Sequence, residues 1–170
     1  MKKYLLTSLL VLLVLVGKAQ EDQSGIVNVG ADMPAFTIVS DNGQTLQSDS
    51  LKGKVLLVSF FATWCPPCQK ELASVQQMLW PKYKDNKDFV LLVIGREHSE
   101  AELVKYNERK GFDFHLYPDK NRQIYEKFAK SVIPRSYLVS RAGKIVYVTQ
   151  GYTEAEFAEL ITKIEQVLKK

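Results

Sequence analysis

Gly53-Lys54-Val55-Leu56-Leu57-Val58-Ser59-Phe60-Phe61-Ala62-Thr63-Trp64-Cys65-Pro66-Pro67-Cys68 is the stretch that decides how this chain folds. Val55 to Ala62 holds seven apolar residues in eight, rich in β-branched and aromatic types, with Ser59 the one polar interruption. Such a run suits a central strand buried on both faces. Two cysteines follow at once, on either side of a proline pair that fits the first turn of a helix, where backbone N–H groups have no intrahelical partner. From Pro66 onward, Leu72, Val75, Met78 and Leu79 recur at helical spacing, and Pro81 is expected to stop the pattern.

A C-x-x-C between a buried strand and a helix start carries chemistry that the bare pattern does not. A thiol there feels the positive end of the helix dipole, which favours its thiolate. Cys65 is expected to be the exposed attacking sulfur. Cys68, one turn later on the same face, is placed to resolve a mixed disulfide. Pro66 and Pro67 have no N–H to offer, so Cys68 supplies the first backbone donor after Cys65. A thiolate with fewer donors is less stabilised, which moves the pair toward a reducing potential.

Two plainer readings compete. A structural staple closing four residues contributes only about 2 kcal/mol in the chain-entropy model, against roughly 3 for fifteen. A zinc site would draw on Cys65, Cys68, His98 and His115, but the histidines stand at uneven spacing beside strand-like segments.

Working outward, Asp41-Asn42-Gly43 separates Phe36–Val39 from Thr45–Gln47, a hairpin signal. Phe89 to Ile94 is an unbroken apolar run. Ser99 with Glu102, and Thr153 with Glu156, form capping boxes for a helix reaching about Lys110 and for a last helix. That last helix gathers Phe157, Leu160, Ile161, Ile164 and Leu168 on one face. Tyr137–Val139 and Lys144–Thr149 pair around Arg141-Ala142-Gly143. The order is a hairpin, β-α-β, a helical insertion, then β-β-α: a single α/β domain with a mixed sheet covered by helices on both faces.

Composition excludes several classes. The 170 residues are 46% hydrophobic and 25% charged, with six prolines and nine glycines, which rules out disorder and collagen-like repetition. The formal net charge is +4, but Lys2, Lys3 and Lys18 fall in the first nineteen residues, which hold no acid. Removing those three from 23 Lys and Arg leaves 20 against 19 Asp and Glu, so no nucleic-acid partner is expected. Met1-Lys2-Lys3, the apolar run Leu5 to Val16 and Gly17-Lys18-Ala19 have the layout of a signal peptide cleaved after Ala19. Twelve residues at about 1.5 Å each fall short of a bilayer core of roughly 30 Å, so an uncleaved anchor is the lesser reading. The expected division is a signal peptide over residues 1–19, a polar linker over 20–25 and one domain over 26–170, working outside the cytoplasm.

The chain resembles the TlpA-like thioredoxin family, of ResA/TlpA type within the AhpC/TSA-redoxin superfamily. These are secreted or membrane-tethered thiol–disulfide oxidoreductases that include cytochrome c maturation proteins. The resemblance covers about Val29 to Lys169, carried by residues 53–68, Glu71, and Ile133-Pro134 before a strand. It implies a thioredoxin fold with an N-terminal β-hairpin extension and an insertion over about residues 99–130. It also implies a cis Pro134 against the disulfide, with the Ile133 backbone pairing with substrate and Trp64 shielding the sulfurs. Disulfide-bearing or dithiol proteins are the implied substrates, an upstream membrane redox donor the implied partner, and no cofactor is implied beyond the two cysteines.

Two positions depart from the thioredoxin pattern. Arg135-Ser136 follow the proline where Thr is usual, and Ser59 stands where cytoplasmic thioredoxins keep a buried aspartate. Glu71, three residues after Cys68, is then the candidate for proton transfer; the plain alternative is an exposed first-turn acid. A thiol peroxidase of peroxiredoxin type is the rival enzyme class, but its required hydroxyl and proline positions hold Ala62 and Val58. A redox-inert module binding zinc or a partner is the rival outside enzymes. His98 and His115 read as a loop and a strand residue, and Lys105, Arg109 and Lys110 as a solvated helix face.

Overall fold

The computed structural model describes residues 24–40 and 43–170. The signal peptide expected over residues 1–19, most of the linker expected over 20–25, and Asp41-Asn42 lie outside these. Five strands form one sheet: β3 (Val55–Phe61), β4 (Phe89–Arg96), β5 (Leu116–Asp119), β6 (Arg135–Val139) and β7 (Ile145–Gln150), in the order β5-β4-β3-β6-β7. The β3–β4 and β4–β5 pairs are parallel, while β6 runs antiparallel to both β3 and β7. The fully buried strand read at residues 55–62 is therefore the central one. The hairpin, β1 (Thr37–Val39) with β2 (Thr45–Gln47), forms its own two-stranded sheet. Its turn ends on Gly43 at φ 82°, the left-handed conformation that glycine reaches without a Cβ clash.

Alternation along β3 divides the core. Val55, Leu57 and Phe61 face a layer with Leu72, Val75, Leu79, Leu103, Phe157 and Leu160, which come from α1 (Pro66–Ser74) and its continuation, α3 (Glu100–Lys110) and α5 (Glu154–Leu168). Leu56, Val58 and Phe60 face the other way, onto Phe36 and Ile38 of the hairpin side and onto α4 (Tyr125–Phe128). The mixed sheet with helices on both faces is thus present, one face sharing its cover between α4 and the hairpin.

One expectation needs correction. Pro81 does not end the helix that begins at Pro66. Val75–Leu79 widens into a π turn, with the Trp80 N–H donating to the Val75 carbonyl, and α2 (Trp80–Tyr83) continues beyond it. The wider turn accommodates a residue that lacks an N–H and whose ring would clash with an α-helical carbonyl. The insertion carries helices α3 and α4 as expected, and between them it adds β5 at the sheet edge, where Pro118 costs no interior ladder bond. Both helix starts read from sequence are capped: Ser99 Oγ accepts the Glu102 N–H while Glu102 accepts the Ser99 N–H, and Thr153 Oγ1 accepts the Glu156 N–H. At the end of the polar stretch, Gly25 bridges Ala129, and the Ser24 carbonyl accepts the Lys130 N–H at 2.8 Å.

Candidate active site

The C-terminal end of β3 delivers Cys65 to the N-cap of α1, with Pro66 and Pro67 in the first turn. Cys65 and Cys68 are joined by a disulfide, their Cα atoms 5.3 Å apart. The Cys68 N–H points at Cys65 Sγ at 3.3 Å, the donor that remains when both intervening residues are proline. Cys65 is 4% exposed and Cys68 0%. The order of accessibility is as expected, but Cys65 is nearly enclosed and not the open sulfur anticipated.

The loop leading into Cys65 is tied down from either side. The Thr63 N–H donates to His98 Nε2 at 3.0 Å, and the Gln69 side-chain amide donates to the Thr63 carbonyl at 2.8 Å. Burial of His98 lowers its pKa, which keeps the ring in the neutral form that accepts this bond. His115 packs edge-on against Tyr117 with centroids 4.4 Å apart. The two histidines thus serve structural contacts rather than forming a cluster with the sulfurs. Arg109 and Lys110 lie over the Tyr106 ring, on the helix face read as solvated.

The Ile133–Pro134 bond is cis, and the Ile133 carbonyl oxygen lies 3.8 Å from Cys65 Sγ. In the disulfide that sulfur carries no proton, so this is a contact; a Cys65 thiol would have an acceptor there. Trp64, 60% exposed, stands at the rim with its ring 5.6 Å from the Arg96 guanidinium.

Glu71 is not a surface acid. It is 3% exposed, and its Oε1 accepts hydrogen bonds from Ser59 Oγ at 2.9 Å and Ser136 Oγ at 2.8 Å. The two serines are register partners on β3 and β6, so both hydroxyls rise from the same face of the sheet toward α1. Desolvation raises the Glu71 pKa from 4.5 to about 7, and two neutral hydroxyl donors only partly oppose it. The two departures noted in the sequence are therefore the residues that cradle the acid. The signal was present: a lone serine in a buried strand requires a partner.

The arrangement is a dithiol/disulfide pair at a helix start, with a buried acid titrating near neutrality one turn further on. At the positions a peroxide pocket would need, Ala62 and Val58 are both fully buried core residues. Relatives of the chain carry the same kind of chemistry in their names. Thiol-disulfide oxidoreductase ResA of Bacillus anthracis is 27% identical over 144 residues, covering 85% of this chain and 79% of that protein. ResA of Bacillus subtilis is 29% identical over 127 residues, covering 74% and 69%. A solution structure from Bacteroides thetaiotaomicron, provisionally assigned as a protein disulfide isomerase, superposes with a TM-score of 0.82 at 36% identity, covering 87% of this chain and 94% of that one. Residues 28–168 match the Redoxin family, and the chain belongs to that family as a thiol–disulfide oxidoreductase of the ResA/TlpA-like thioredoxin type.

Proposed function

We propose that the protein reduces disulfides of protein substrates outside the cytoplasm. The observation that carries this is the Cys65–Cys68 pair at a helix N-cap, with the Cys68 amide the one backbone donor to Cys65 Sγ among the described residues and a buried Glu71 one turn beyond Cys68. In the reduced enzyme, the Cys65 thiolate attacks one sulfur of a substrate disulfide. The substrate S–S bond breaks, its other sulfur leaves as a thiolate, and a mixed disulfide forms at Cys65. Cys68 then gives its proton to the Glu71 carboxylate and attacks Cys65 Sγ. The mixed disulfide breaks, the second substrate sulfur leaves, and the enzyme pair is oxidised by two electrons as the substrate is reduced by two. An acid titrating near neutrality is suited to hold that proton, since proton transfer is most efficient when pKa and working pH match.

Trp64 and the Ile133-Pro134 backbone border Cys65 and provide a surface for the substrate chain. Re-reduction requires an upstream dithiol donor, and a membrane-bound donor fits a protein exported by a leader over residues 1–19. No helix among the described residues is long and apolar enough to cross a membrane. The direct test is reduction of insulin disulfides with dithiothreitol as electron source. Catalysis abolished by Cys65→Ser is expected. Absence of insulin reduction together with steady peroxide turnover would favour the peroxidase reading instead.

A further inference from the structure

Three non-glycine residues among those described have positive φ: Glu97 at 67°, Arg122 at 59° and Val132 at 71°. Such conformations are costly for L side chains, most of all for a β-branched one, and persist only where the surroundings hold them. All three belong to one cluster beside the disulfide. The Glu97 carboxylate pairs with Arg96 at 3.2 Å and with Arg122 at 3.5 Å. Both guanidinium groups lie over the buried Tyr125 ring, at 5.2 and 5.4 Å from its centroid. The Tyr125 hydroxyl donates to the Val132 carbonyl at 2.8 Å. Asp119, at the end of β5, fixes Tyr125 from behind by accepting its N–H at 2.8 Å.

The contacts form a continuous line. Trp64, next to Cys65, touches Arg96; Arg96 touches Tyr125; Tyr125 holds Val132, next to Ile133. Trp64 and Val132 are the exposed apolar residues at the two ends, 60% and 39% accessible. We propose that Tyr125, together with Arg96, is a positioning residue that sets the spacing of these two lips around the disulfide, and so selects an extended apolar segment flanking the substrate cysteine. The insertion carrying β5 and α4 is on this account part of the recognition apparatus.

A plain core role for Tyr125 explains less. Its edge-on contact with Phe60, at 5.2 Å and 81°, needs only a ring, which phenylalanine would supply. The hydroxyl on the Val132 carbonyl is the part phenylalanine cannot replace. Tyr125→Phe therefore isolates the brace while retaining the core packing and the ring beneath both guanidinium groups.

The inference rests on the disulfide-reductase reading, and the test separates the two. Wild type, Tyr125→Phe and Arg96→Lys would each be assayed with a disulfide-linked peptide carrying apolar flanks and with Ellman's reagent, a small disulfide that has no peptide flanks to dock on the lips. The expected result is a KM for the peptide raised about threefold to tenfold, the range of one hydrogen bond, with kcat and the Ellman's rate kept. Peptide KM values within about twofold of wild type in both variants, or equal slowing with both probes, would overturn the brace. A wild type that reduces the peptide no faster than free dithiothreitol would overturn the reductase reading itself, and the brace with it.

Discussion

Cys68→Ser is expected to accumulate covalent adducts with substrate proteins, while Cys65→Ser accumulates none. In the native pair the resolving sulfur is held within the first helical turn, so its attack on the mixed disulfide is intramolecular and fast. Without it, release depends on an external thiol, and the adduct persists for roughly the minutes to hours of uncatalysed exchange. The asymmetry follows from burial. Cys65 keeps a small accessible surface, whereas Cys68 is fully enclosed and closed to a substrate sulfur. Non-reducing gels followed by mass spectrometry of the adduct bands read the result. Equal trapping by both variants would contradict the assignment of attacking and resolving sulfurs.

Glu71→Gln is expected to act on stability and on chemistry at once. The folded protein binds a proton at Glu71 with a pKa of about 7, whereas the unfolded chain binds it at 4.5. The stability linked to this proton is therefore fully present below about pH 4.5, declines as pH rises, and is lost above about pH 7. At about 1.4 kcal/mol per pKa unit, the difference amounts to about 3 kcal/mol. Glutamine preserves the shape and an acceptor for the Ser59 and Ser136 hydroxyls but carries no titrating proton. Urea unfolding of wild type should lose about 3 kcal/mol relative to Glu71→Gln between pH 4 and pH 8, after other groups cancel in the comparison. The rate of the resolving step should also lose its inflection near pH 7 in the variant. Parallel stability curves would show that Glu71 does not titrate in this window.

Much of this site was legible because its signals are local. The apolar run before Cys65, the C-x-x-C at a helix start and the proline before β6 each lie within a few residues of chain. What sequence periodicity misses is register. Ser59 and Ser136 read separately as departures from a pattern, and only the β3–β6 pairing brings both hydroxyls onto Glu71. The near-enclosure of Cys65 escaped for a similar reason, since accessibility depends on neighbours distant in the chain, such as the Ile133 carbonyl. Pro81 misled because helix-breaking rules assume an α-helical turn, and the π turn before it removes that condition. β5 was hidden by its brevity and by Pro118, which an edge strand tolerates.

The two prolines between the cysteines connect this geometry to the direction of electron flow. A Cys65 thiolate that receives one backbone amide rather than several is a less stabilised product of reduction, so the dithiol gives up electrons more readily. Pro67→His restores an N–H and adds a possible cation, and should move the potential toward oxidising values by about 30 mV or more, the equivalent of roughly 1.4 kcal/mol. The most direct test of the account is the reduction potential of the Cys65–Cys68 pair, measured by equilibration with glutathione. A wild-type value near about −270 mV is predicted, with Pro67→His above it; a wild-type value near about −120 mV would mark a strong oxidant and contradict the account.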